Sequence, residues 1–116
     1  MPSSHKHTIE QLTELINARH VNHLDKVLAD NVKKIDNTKT IFTNLQEARE
    51  YYSMEHEANP KAEWKVIHVQ EDNQNNDTAK ATITFNNHTY NTEYTFDSNG
   101  KIQTIHANLE QHEHEQ

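Results

Sequence analysis

The sequence predicts an α+β domain in which three N-terminal helices pack in the concave face of a curled, mostly antiparallel sheet. Apolar residues recur at helical spacing before Pro60 and at every second position in the strands that follow. A turn at Asp97-Ser98-Asn99-Gly100, holding the only glycine of the chain, separates two such alternating runs and marks a hairpin. Three amphipathic helices cannot cover both faces of such a sheet unless it curls. The economical arrangement wraps the strands around the first helix and leaves a concave cavity.

The first helix follows from Thr8 and Gln11, which fit a capping box, and from the apolar stripe Ile9, Leu12, Leu15 and Ile16. Asn22 can cap a second, short helix that carries Leu24, Val27 and Leu28 and ends near Asp30 and Asn31. Residues 32–36 are too few for a helix between such breakers, and a brief strand leading into a polar turn at Asn37, Thr38 and Lys39 is expected. The third helix has two candidate caps, Thr43 with Gln46 or Asn44 with Glu47. It carries Leu45, Ala48, Tyr51 and Tyr52 and stops at Asn59-Pro60, because a proline disfavours helical geometry in the residue before it. Beyond it, residues 62–69 are rich in strand formers and residues 71–77 form a polar hairpin loop. Ala79, Ala81, Ile83 and Phe85 then alternate with polar neighbours, as a strand with one buried face requires. After a turn at Asn86-Asn87 the alternation resumes at Tyr90, Thr92, Tyr94 and Phe96, and a last strand spans residues 101–109. There is no internal repeat.

A length of 116 residues suits one domain, with residues 1–7 and 110–116 as flexible tails. Acidic residues outnumber basic ones 18 to 11, giving a net charge of -7, and the longest basic run is the pair Lys33-Lys34. Such a balance disfavours nucleic acid and anionic membranes as partners. No apolar stretch is long enough for a signal sequence or a membrane span, so a cytoplasmic location is expected. The absence of cysteine excludes disulfides, thiol catalysis and thiolate metal sites.

Two stretches carry a family resemblance. The run from Asn17-Ala18-Arg19-His20 to Val27-Leu28-Ala29-Asp30-Asn31-Val32 resembles, without a gap, the N-A-G-D-x-x-x-x-x-x-L-F-A-D-D-V segment of SnoaL-like proteins. Tyr94-Thr95-Phe96-Asp97-Ser98-Asn99-Gly100-Lys101-Ile102 is similar to their F-x-F-D-x-x-G-K-I hairpin. Between them, residues 45–52 look like the third helix of those proteins, with Asn44 where a glycine is usual. The resemblance covers residues 8–109 and implies the cystatin-like cone fold of the nuclear transport factor 2-like (SnoaL-like) superfamily. That superfamily includes ketosteroid isomerase, polyketide cyclases and scytalone dehydratase beside many binding and assembly proteins, so function must be argued from the pocket.

The resemblance puts Asp36 where the isomerases keep their proton-abstracting aspartate at the mouth of the cavity. It puts Leu12 in place of their oxyanion-hole tyrosine and Thr92 near their partner carboxylic acid, which removes two donors that would hold an enolate. Asp36 is otherwise a strand end in an Asp-Asn turn. His68 and His106 fall inside expected strands and are candidate acid/base partners if they share a face with Trp64 and Val66, or with Ile102 and Thr104. Each strand also has an opposite apolar set, Ile67 with Val69 and Ile105 with Ala107, which would turn the rings to solvent. Tyr51, Tyr52, Tyr90, Tyr94 and Trp64 suit either an amphipathic pocket or the core. Leu12, Tyr52, Trp64, Thr92 and Tyr94 are the expected pocket lining. Arg49 is placed to pair with Asp36, with an acidic ligand or with solvent. His5-x-His7 and His112-x-His114 can catch a metal ion adventitiously, and no built metal site or cofactor is expected.

Three functions remain open on these grounds. One is a homodimeric binding protein holding a small apolar or aromatic molecule in the cavity. The second is a cofactor-free isomerase, cyclase or dehydratase with Asp36 as general base and His68 or His106 as partner. The third is a structural dimerisation module.

Overall fold

The computed structural model describes residues 5–71 and 77–110. Helix α1 (His5–Asn17) is followed by a 3₁₀ helix (Val21–Lys26), strands β1 (Leu28–Asp36) and β2 (Lys39–Phe42), helix α2 (Leu45–Ala58), and strands β3 (Lys65–Glu71), β4 (Thr78–Phe85), β5 (His88–Phe96) and β6 (Ile102–Leu109). One six-stranded sheet runs in the order β2-β1-β6-β5-β4-β3. It is antiparallel throughout except where β1 lies parallel to β6. Three helical segments against a mixed sheet give the α+β cone expected from the sequence. Among the described residues no helix is long and apolar enough to cross a membrane.

Helix α1 starts at His5, ahead of the expected cap at Thr8, so His5-x-His7 is helical rather than part of a loose tail. Its stripe Ile9, Leu12, Thr13 and Ile16 is buried. The helix closes through a Schellman turn: His20 N–H donates to the Leu15 carbonyl and Arg19 N–H to that of Ile16, with Arg19 at φ 64°. Glycine stands at that position in the family pattern, and the left-handed backbone is the physical reason. The expected second helix is only a 3₁₀ turn entered from His20, without a side-chain cap from Asn22. Leu28 belongs to β1 instead, which makes that strand nine residues long rather than five. The expected polar turn narrows to Asn37-Thr38, with Asn37 at φ 55°, and Lys39 opens β2, an element absent from the sequence-based reading.

The cap of α2 is Asn44, whose side chain accepts the Glu47 N–H at 2.8 Å, while the Glu47 carboxylate accepts the Thr43 N–H at 2.9 Å. Leu45, Ala48, Tyr52 and His56 form its buried face. Asn86 and Asn87, both at positive φ, make the tight β4–β5 turn. At the β5–β6 hairpin the Asp97 side chain accepts the N–H groups of Asn99 and Lys101, and Gly100 takes φ 80°. Residues 72–76 of the expected β3–β4 loop, and the histidines of His112-x-His114, lie outside the described residues.

The register gives the sheet two ends. Leu28, Ile102, Phe96 and Ala79 lie at one, and Asp36, Ala107, Tyr90 and Phe85 at the other. Helix α1 runs from the first to the second: His5 stacks on Phe96, and the Asn17 side chain donates to the Trp64 carbonyl and accepts the Trp64 N–H, both at 2.8 Å. At the first end Ile9, Leu24, Val27, Leu28 and Ile102 are fully buried.

Candidate functional site

The second end holds a cavity of about 250 Å³, near the small end of ligand pockets, which span ~300–1,000 Å³. Leu12, Tyr52, Trp64, Thr92 and Tyr94 all line it, and so does Asp36. The inner faces of β4 and β5 come from simple alternation: Ile83 and Phe85 on one, Thr92 and Tyr94 on the other. Trp64 is held by the Asn17 clamp, stacks on Phe85 at 4.2 Å between ring centroids, and meets Tyr52 edge-on at 6.0 Å.

The two expected histidine partners are not in this cavity. A β-bulge between Val66 and His68 makes Ile67 an extra residue and reverses the facing of β3. Val66 and Val69 therefore pack on the core, whereas His68 is exposed and lines a shallow groove on the outer face with Lys80, Thr82 and Glu93. On β6, Ile105 and Ala107 take the inner face, so His106 points outward and donates from Nε2 to the Asn37 carbonyl at 2.9 Å. The buried histidine is His56, whose Nε2 donates to the Ile16 carbonyl and ties α2 to the end of α1. Arg49 pairs with Asp25 at 3.8 Å and donates to the Val21 carbonyl, so it is not a partner of Asp36.

Lys34 occupies the position that sequence reasoning missed. Alternation along β1 sends Val32, Lys34 and Asp36 to one face, and since Val32 must be buried the lysine follows it inward. That parity was legible in the sequence. Lys34 is 3% exposed and lines the cavity. Its Nζ lies 5.2 Å from the ring centroid of Tyr51, 5.6 Å from that of Tyr52 and 4.9 Å from that of Trp64. Burial pulls its pKa below the usual lysine value, opposed by the charges of Asp36 and Glu55. Ring faces stabilise an ammonium by about 0.5–2 kcal/mol, whereas losing water is the larger effect on a fully buried amine. Tyr51 is pushed upward by burial, then by Glu55 and Asp36. Tyr52 and Tyr94 are pushed up mainly by burial, as is Tyr90.

Among the described residues two buried side-chain polar atoms have no hydrogen-bond partner, Oδ1 of Asp36 and Nε1 of Trp64. Both residues line the cavity. One is an acceptor and the other a donor.

No family model matches the chain, and no curated protein matches it significantly. Solved structures do. A protein of unknown function with a cystatin-like fold from Methylobium petroleophilum is 14% identical over 97% of this chain and 84% of its own, with a TM-score of 0.80. A SnoaL-like polyketide cyclase from Agrobacterium tumefaciens is 13% identical over 95% of this chain and 94% of its own, at a TM-score of 0.77. An NTF2-like protein of unknown function from Cytophaga hutchinsonii is 10% identical over 95% and 93%, at 0.76. The helices, the mixed sheet and these likenesses together show that the chain has the cystatin-like cone fold of the SnoaL-like and NTF2-like proteins.

Proposed function

We propose that the chain binds a compact ring compound with polar substituents in the cone cavity. The observation that carries this reading is an unpaired acceptor on Asp36 and an unpaired donor on Trp64, in two residues that line the same cavity. Buried polar atoms are nearly always satisfied, and an orphan costs about 1–3 kcal/mol. A ligand offering a hydroxyl to the carboxylate and an oxygen to the indole would satisfy both, with its ring against Tyr52 and Tyr94. Trp64 is the only tryptophan, so its fluorescence reports the cavity alone. Titration with phenol, benzyl alcohol and 4-hydroxybenzaldehyde should change that emission saturably, and Asp36→Asn should weaken the hydroxyl-bearing ligands most. Emission indifferent to all three would sink the reading.

A second reading makes the same site a cofactor-free isomerase or cyclase of the SnoaL-like type, as the name of the Agrobacterium neighbour suggests. It is supported by the free carboxylate oxygen of Asp36, available as a general base, with Lys34 and the Trp64 N–H at hand to stabilise an enolate. These donors stand in for the pair lost at Leu12 and Thr92. Conversion of 3-cyclohexenone to its conjugated isomer, abolished by Asp36→Asn, is the expected result; equal rates for the two proteins would end it. We also propose that the chain is a homodimer through the outer face of its sheet, where Ile67 is 60% exposed. Sedimentation of wild type and Ile67→Lys tests this, a monomer in both being the adverse outcome.

A further inference from the structure

We propose that Lys34 is a nucleophilic amine that condenses with a small aromatic aldehyde or ketone admitted to the cavity. The inference rests on the cavity being a binding site and names what that site does to one class of ligand. A lysine whose stem is buried ordinarily extends its ammonium to water. Lys34 does not: its Nζ ends among the faces of Tyr51, Tyr52 and Trp64, and among the described residues no carboxylate or carbonyl oxygen bonds it. No other lysine of the chain is buried. The amine is thus separated from solvent, opens on a cavity, and is not locked in an ion pair, which are the three conditions for a lysine nucleophile. Burial favours the neutral form with its lone pair free.

The flat aromatic walls select the class of partner. A ring lying against Tyr52 and Trp64 presents an attached carbonyl carbon toward Nζ. The nitrogen lone pair then forms the C–N bond as the carbonyl π pair moves to oxygen. The unpaired oxygen of Asp36, which lines the same cavity, carries two protons in turn from nitrogen to that oxygen, the first making the hydroxyl of the carbinolamine and the second the water that departs. Water leaves, and a C=N bond joins Lys34 to the former carbonyl carbon. Amine and carbonyl give imine and water, with no other reactant required.

Benzaldehyde with cyanoborohydride, which delivers hydride to the protonated imine and fixes it as a secondary amine, tests the step on the wild-type protein at neutral pH by peptide mapping. Lys34 should be alkylated at least about tenfold faster than any exposed lysine, because burial favours its neutral, nucleophilic form. In Lys34→Met only slow, scattered labelling of exposed lysines should remain. Benzyl alcohol, which has the ring but no carbonyl, separates the two ways of failing. If it perturbs Trp64 emission and Lys34 stays unlabelled, the imine is overturned and binding stands. If it has no effect and Lys34 stays unlabelled, both fall together.

Discussion

The two ends of the cone are built to opposite rules. At the end where Leu28, Phe96 and Ile102 meet, aliphatic and aromatic side chains pack together, Ile9, Leu24, Leu28 and Ile102 are completely buried, and among the described residues no buried side-chain polar atom is left without a partner. At the other end the same sheet surrounds a buried lysine, an unpaired carboxylate oxygen and an unpaired indole N–H. One end is arranged for stability. The other keeps groups that a purely structural core would replace with hydrocarbon, which is the feature on which the proposed binding site rests.

Truncation at the filled end should give the largest loss. Leu24→Ala or Ile102→Ala removes side chains with no route to solvent, and each is expected to cost about 2–5 kcal/mol in urea unfolding. A cost below ~1 kcal/mol, the ordinary effect of an average substitution, would erase the contrast between the ends. Lys34→Met should do the reverse. It replaces a desolvated amine with an apolar chain of similar reach and is expected to raise stability at neutral pH by roughly 1–3 kcal/mol, the cost of a buried polar group without a hydrogen-bond partner. A loss on this substitution would mean that the ring faces hold the amine better than water does.

The same end sets the response to alkali, and two opposite signs are involved. Lys34 has a lowered pKa, so between its folded value and 10.5 the unfolded chain holds a proton that the folded one does not. Its contribution to stability therefore grows as pH rises through that window, and the burial cost is greatest below it. The tyrosines are raised, so above ~10 the unfolded chain releases protons that the fold retains, and stability is lost as pH climbs further. Tyrosinate absorbance should stay flat past the ordinary phenol range for Tyr51, Tyr52 and Tyr94, then rise together with unfolding. A separate early step from any of these three in the folded protein would show a wetter cavity than its lining implies.

How much of this was legible in the sequence depended on whether a local pattern had one reading. The alternation through Ala79 to Phe85 and the Asp97 hairpin were readable because each needs only neighbouring residues, whereas the cap of α2 had two readings, Thr43 with Gln46 or Asn44 with Glu47, of which the second is found. The 3₁₀ segment was not: Leu24, Val27 and Leu28 have helical spacing, yet Leu28 pairs with Ile102 across the chain, and tertiary pairing overrode the local signal. Strand β2 was hidden for a similar reason, since Lys39–Phe42 forms a strand only against β1. Of the candidate site, the inward facing of Thr92 and Tyr94 followed from alternation, whereas Asp36 was placed at the cavity by the family resemblance and Trp64 was open between pocket and core. The facing of His68 did not follow, because a bulge leaves no mark in the sequence while reversing every side chain after it. Lys34 was readable by parity with Val32 and was hidden by the habit of assigning lysines to the surface.

The smallest expected effect concerns the backbone just outside the cavity. The turn that closes helix α1 there holds Arg19, a residue with a Cβ, at φ 64°. A left-handed L-residue carries about 1–2 kcal/mol of steric cost that glycine escapes. Against this, Arg19→Gly loses the exposed guanidinium bond to the Pro60 carbonyl, at 3.1 Å, and gives the unfolded chain more freedom, each worth several tenths of a kcal/mol to ~1. A net gain below ~1 kcal/mol is therefore expected in thermal unfolding, and Arg19→Ala, which keeps the Cβ but not the bond, should lose stability. Were the glycine variant less stable than wild type, the Pro60 bond would outweigh the backbone. The arginine would then be a clasp that fastens the end of α1 to the segment leading to Trp64, and its loss should also loosen that tryptophan, which lines the cavity.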